Sequence, residues 1–170
     1  MLHWPGTDRV ITKAYKQATA GSLVNALTLL RRAARSSDPK GNRAEAMGMI
    51  LYQRGRWAEA AEVLANALKL QPENMSRLFY CADAISRAGE WDNAMRILDE
   101  AAQKNPTDVA PLSAKCLILI ERSDLAAAQG IYAQARTIFS ENPAQDAYSM
   151  GLLQQCADSV TEPQGGQAEI

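Results

Sequence analysis

With 170 residues, 47% hydrophobic but only 6% aromatic, the chain can bury a continuous core in which alanine does much of the packing, and no apolar run approaches a membrane span. Its net charge of −1 hides an uneven distribution: residues 1–58 carry ten Lys/Arg against three Asp/Glu, and residues 59–170 carry eight against sixteen. The single histidine (His3), the absence of a glycine-rich phosphate loop and the lack of cysteines at metal-ligand spacing exclude histidine-dependent catalysis and predict neither metal nor cofactor nor enzyme activity.

In chain order, residues 1–6 read as an N-terminal extension without the basic-then-apolar layout of a secretory signal. A cytoplasmic protein is therefore expected, or a periplasmic one if the chain is trimmed. The first predicted hairpin, about residues 7–40, turns at Gly21 and closes at Pro39. In the second, residues 41–74, a helix over 41–54 ends at Gly55, which can adopt the left-handed conformation, and a helix over 57–70 is stopped by Pro72. The third, residues 75–108, turns at Gly89 and closes at Pro106. The fourth, residues 109–143, places Ser123 where the others have glycine and ends at Pro143. Residues 144–158 set Ala147, Met150, Leu153 and Cys156 at helical spacing and predict a capping helix. Residues 159–170 lack an apolar period and are expected to form a disordered tail. The sum is one elongated domain of nine helices.

The hairpins are copies at a spacing of 34 residues. Ala26, Ala60, Ala94 and Ala128 share one slot, and Ala33, Ala67, Ala101 and Ala135 another. Leu23, Trp57, Trp91 and Leu125 recur, as do Leu30, Leu64, Leu98 and Tyr132, and the small residues Ala14, Gly48, Ala82 and Cys116. Alanines two turns apart on one stripe let a partner backbone approach closely. Cys81, Cys116 and Cys156 fall in small or apolar slots and read as buried hydrophobes, with a disulfide or a reactive thiol as the alternative.

A small residue, an aromatic, two alanines and a closing proline in this register resemble the tetratricopeptide repeat family, best in Ala44–Gly48, Trp57–Ala60, Ala67 and Pro72 and again from Leu78 to Pro106. The resemblance covers roughly residues 7–143. It implies an all-α fold, a right-handed superhelical stack of helical hairpins whose first helices line a concave groove, here with a C-terminal capping helix. The groove slots then hold Tyr15, Met49, Tyr52, Phe79, Leu117 and Ile120 as an apolar strip, edged by Asp83 and Arg87. Such a strip suits a protein or peptide segment anchored by apolar side chains. Glu45 and Asp83 at the family's carboxylate-clamp slots would repel a terminal carboxylate, which argues against a heat-shock co-chaperone.

The expected function is a non-catalytic adaptor or scaffold in a bacterial assembly. An alternative follows from a narrower likeness. Ser76-Arg77-Leu78-Phe79, Ala114-Lys115-Cys116-Leu117 and Asp124-Leu125-Ala126-Ala127-Ala128 are similar to class II chaperones of type III secretion, which implies keeping a translocator protein soluble. The oppositely charged halves suggest self-association, tested by changing ionic strength. Arg31, Arg32, Arg35, Lys40, Arg43, Arg54 and Arg56 lack interleaved aromatics, so nucleic acid is disfavoured.

Overall fold

A computed structural model of the chain describes residues 8–161. These form nine helices and no strand: α1 (Arg9–Thr19), α2 (Leu23–Ser36), α3 (Asn42–Gln53), α4 (Trp57–Leu70), α5 (Met75–Arg87), α6 (Trp91–Lys104), α7 (Ala110–Glu121), α8 (Leu125–Glu141) and α9 (Ala147–Thr161). The closing helix starts later than residue 144 and continues to Thr161, so residues 159–161 are helical rather than part of a tail. The expected N-terminal extension and the rest of the tail lie outside the described residues. Contacts separate a first unit ending at Glu90 from a second beginning at Trp91, a division inside the third repeat. Among the described residues no helix is long and apolar enough to cross a membrane.

The turn that follows each first helix is built the same way four times. The N–H groups of Ser22, Arg56, Glu90 and Asp124 donate to the carbonyls of Gln17, Leu51, Ile85 and Leu119 at 2.8, 3.0, 3.1 and 3.0 Å. This six-to-one closure requires a left-handed residue just before the donor. Gly21, Gly55 and Gly89 supply it with φ of 86°, 70° and 93°, and Ser123 does so at 62°. A side chain at that φ is strained, which is why three of the four slots hold glycine.

Packing follows the small-residue register. Ala26, Ala60, Ala94 and Ala128 are all fully buried, as are Ala14, Ala82 and Cys116. A Cβ added to Gly48 would lie 2.6 Å from Leu64 Cγ, so α3 and α4 pack at a distance only glycine permits there.

In the first unit, one arginine per repeat ties a hairpin to the one before it. Arg43 Nη1 donates to the carbonyls of Ala33 (2.9 Å) and Ser37 (2.6 Å), and its Nε to Asp8 Oδ2 at 2.9 Å. One period later, Arg77 Nη1 donates to the carbonyls of Ala67 (3.1 Å) and Lys40 (2.7 Å). Its Nη2 reaches Asn42 Oδ1 at 2.9 Å and its Nε reaches Glu45 Oε2 at 2.9 Å, with Arg77 only 1% exposed. Partial burial of Asp8 disfavours its charge, but the Arg43 guanidinium and the N–H groups of Val10 and Ile11 outweigh this and hold its carboxyl below the usual value.

The second unit replaces the arginine. Pro111 occupies the slot at the start of α7, and Gln145, one period further, performs a related task. Its Nε2 donates to the carbonyls of Thr107 and Asn142, both at 2.8 Å, while its Oε1 accepts from the Val109 N–H at 3.2 Å. Helix α9 closes on α7 and α8, with Cys156 completing a cluster of Cys116, Leu119 and Ala128.

Candidate binding site

Helices α3, α4 and α5 bring four aromatic rings together in the first unit. Tyr52 on α3 meets Trp57 edge to face, with centroids 5.0 Å apart at 75°. It meets Tyr80 on α5 at 5.4 Å and 77°, and Tyr80 meets Phe79 at 5.2 Å and 68°. Edge-to-face pairs at these separations are attractive because the positive ring edge faces a negative ring face. The result is a continuous ladder, Trp57–Tyr52–Tyr80–Phe79, all of it half-buried.

A polar clasp fixes the ladder. Asp83 is 2% exposed; its Oδ2 accepts from the Tyr52 hydroxyl and from Arg87 Nε at 2.8 Å. The Arg87 guanidinium lies 5.1 Å from the Trp57 ring centroid, within cation–π range. One buried carboxylate thus orients a tyrosine and an arginine, and the arginine covers a tryptophan.

Tyr15 on α1 adds to this surface. Burial pushes its hydroxyl pKa up to about 12, with Glu45 and Tyr80 adding to the shift. Burial, then the Asp83 charge, also raises Tyr80. Both phenols therefore remain protonated hydrogen-bond donors at neutral pH.

Of the eight residues assigned to the groove from sequence, Tyr52, Phe79, Asp83 and Arg87 share this cluster or flank it. Met49 has a different place: it is 4% exposed and packs in the core, so it offers a partner almost no surface. Asp83, expected as a groove-edge acid repelling carboxylates, is instead neutralised internally. Glu45 is likewise paired with Arg77 at 2.9 Å. Leu117 and Ile120 belong to the second unit, half-buried against the Cys116–Cys156 cluster.

Sequence reading missed Tyr80 and assigned Trp57 to the repeat frame alone. A signal existed, because aromatics at 52, 57, 79 and 80 crowd two adjacent copies. Three arginines grouped as a basic surface also have structural tasks. Arg43 clasps two carbonyls, Arg54 donates to the Ala18 carbonyl, and Arg56 pairs with Glu59. Among the described residues no group of three or more His, Cys, Asp or Glu side chains could hold a metal ion.

Comparison with known proteins adds a family match over part of the chain and a fold. Residues 51–118 match the model of the tetratricopeptide repeat. No curated protein sequence matches the chain. A tetratricopeptide repeat protein from Parabacteroides merdae ATCC 43184 aligns with a TM-score of 0.60 at 20% identity, over 90% of this chain and 62% of that one. MamA (41-end) from Desulfovibrio magneticus RS-1 gives 0.54 at 16%, over 92% and 94%. YrrB, a tetratricopeptide repeat protein with an unusual peptide-binding site, gives 0.55 at 14%, over 91% and 86%. At such identities the likeness shows the fold, an all-α array of helical hairpins.

Proposed function

The chain carries tetratricopeptide repeats, and on that premise we propose that it is a non-catalytic adaptor that seats an apolar segment of a partner protein against the aromatic ladder of its first unit. The observation that carries the reading is the clasped ladder itself, since half-buried aromatics fixed by Asp83 and Arg87 lose little freedom on binding. Phe79 would be the apolar anchor, and the Tyr15 and Tyr80 hydroxyls would donate to backbone carbonyls of the segment. Met49 supports α3 from within, and Leu117 and Ile120 offer a separate contact in the second unit.

The test is capture of partners by the intact chain beside a Tyr15→Ala/Phe79→Ala variant, which leaves the Tyr52–Asp83 bond in place. Loss of the same protein from the variant, with helicity retained, supports the ladder. Equal capture by a folded variant sinks it.

Self-association is a second reading, favoured by one observation. Arg9, Lys13, Lys16, Arg31, Arg32, Arg35 and Lys40 form no ion pair among the described residues, whereas Asp8, Asp38 and Glu45, the acids of that region, are each bonded within the first unit. An elution volume that does not change with salt would remove its electrostatic basis.

A further inference from the structure

Two of the three thiols meet in the core of the second unit. Cys116 on α7 and Cys156 on α9 are both fully buried and belong to one four-residue cluster. Cys156 Sγ lies 3.1 Å from the Ser113 carbonyl, on the turn of α7 that ends at Cys116. Cys116 Sγ lies 3.5 Å from the Ala128 carbonyl on α8. The proximity of the two thiols lowers the pKa of Cys116 and raises that of Cys156, and burial adds to the rise at Cys156. The third thiol is elsewhere: Cys81 sits in the first unit, 3.9 Å from the Ala61 carbonyl, and burial pushes it up to about 11.

We propose that Cys116 and Cys156 are a redox-active dithiol, closed by a small disulfide oxidant such as oxidised glutathione into a bond that fastens α9 to α7. The contacting helices α7 and α9 supply one cysteine each to the same buried cluster, which is the arrangement a disulfide between them requires. The inference is independent of the ladder, which lies in the other unit.

The chemistry balances. The Cys116 thiolate attacks one sulfur of oxidised glutathione, breaking its S–S bond and releasing one glutathione thiolate. The Cys156 thiol, having passed its proton to that thiolate, displaces the second glutathione from the mixed disulfide. The products are one protein disulfide and two reduced glutathiones, two electrons having moved from the cysteines to the oxidant.

The experiment refolds the reduced full-length chain in buffers of graded reduced-to-oxidised glutathione ratio, so that burial does not limit access. Free thiols are then alkylated and the protein is mapped by mass spectrometry. The expected species has lost about 2 Da, links the Cys116 and Cys156 peptides, keeps Cys81 alkylated, and melts roughly 10 °C higher because it closes a loop of about 40 residues. A Cys81→Ala variant should behave identically. In Cys156→Ser, a glutathione mixed disulfide should accumulate at Cys116. A chain that stays fully reduced at every ratio, that links Cys81, or that holds glutathione at Cys116 while Cys156 is intact would overturn the proposal.

Discussion

Replacing Arg77 by methionine removes one buried cation while nearly filling its volume. The guanidinium satisfies two backbone carbonyls, the Asn42 side chain and the Glu45 carboxylate, with Arg77 1% exposed. Breaking a buried pair by deleting one partner costs about 3–5 kcal/mol, because the remaining charge and acceptors stay buried unpaired. Arg43, whose side chain is 24% exposed, makes an equivalent clasp that water can replace, so Arg43→Met should cost about 1–2 kcal/mol. Urea unfolding followed by circular dichroism reads the difference: with m near 2 kcal/mol/M, Arg77→Met should lower the midpoint by roughly 2 M. Adding Glu45→Leu to Arg77→Met should recover part of that loss by removing the orphaned carboxylate. A midpoint for Arg77→Met no lower than that of Arg43→Met would refute the reasoning.

Other expectations concern single slots. Ser123→Gly should stabilise by about 0.5–1 kcal/mol, since relief of the left-handed strain at φ 62° exceeds the entropy glycine adds to the unfolded chain; thermal melting checks it. Gly48→Ala should destabilise by about 1–3 kcal/mol despite alanine's better helix propensity, because its Cβ meets Leu64 at 2.6 Å; a denaturant titration showing a gain would contradict the packing. Tyr15 has a folded pKa of about 12, above its unfolded value of 10.0, so its contribution is intact below pH 10 and is lost as pH rises towards 12. Tyrosinate absorbance should show late ionisation in the folded chain, and Tyr15→Phe should flatten the fall in stability over that window.

The repeat frame was legible because its determinants are local or periodic. A left-handed turn selects glycine at Gly21, Gly55 and Gly89, and the close packing of helix pairs selects alanine at one fixed spacing. Direction within a helix was legible only to about one face. Tyr52 and Met49 lie one turn apart on α3, yet Tyr52 is half-buried between two rings while Met49 is buried. What separates them is the side chains that α5 presents, which slot counting does not contain. Asp83 was read as an exposed acid for the same reason: its partners Tyr52 and Arg87 become visible only when two helices are laid together. The arginine clasp left a sequence trace, since Arg43 and Arg77 share a slot, but Arg43 reads as part of a basic surface and spacing alone names no partner for Arg77.

The clasp also gives the first unit a direction. The carbonyls of Ala33 and Ala67 lie in the last turns of α2 and α4, where the helix dipole is negative, and each receives its cation from the hairpin that follows. A hairpin emerging during synthesis has only its own Arg35 or Lys69 in that last turn, and gains the clasp on its carbonyls when the next helix begins, about ten residues later for the pairs Ala33–Arg43 and Ala67–Arg77. Nearest-neighbour coupling of this kind makes order propagate from the ribosome-distal end, with each completed turn stabilising the hairpin already made.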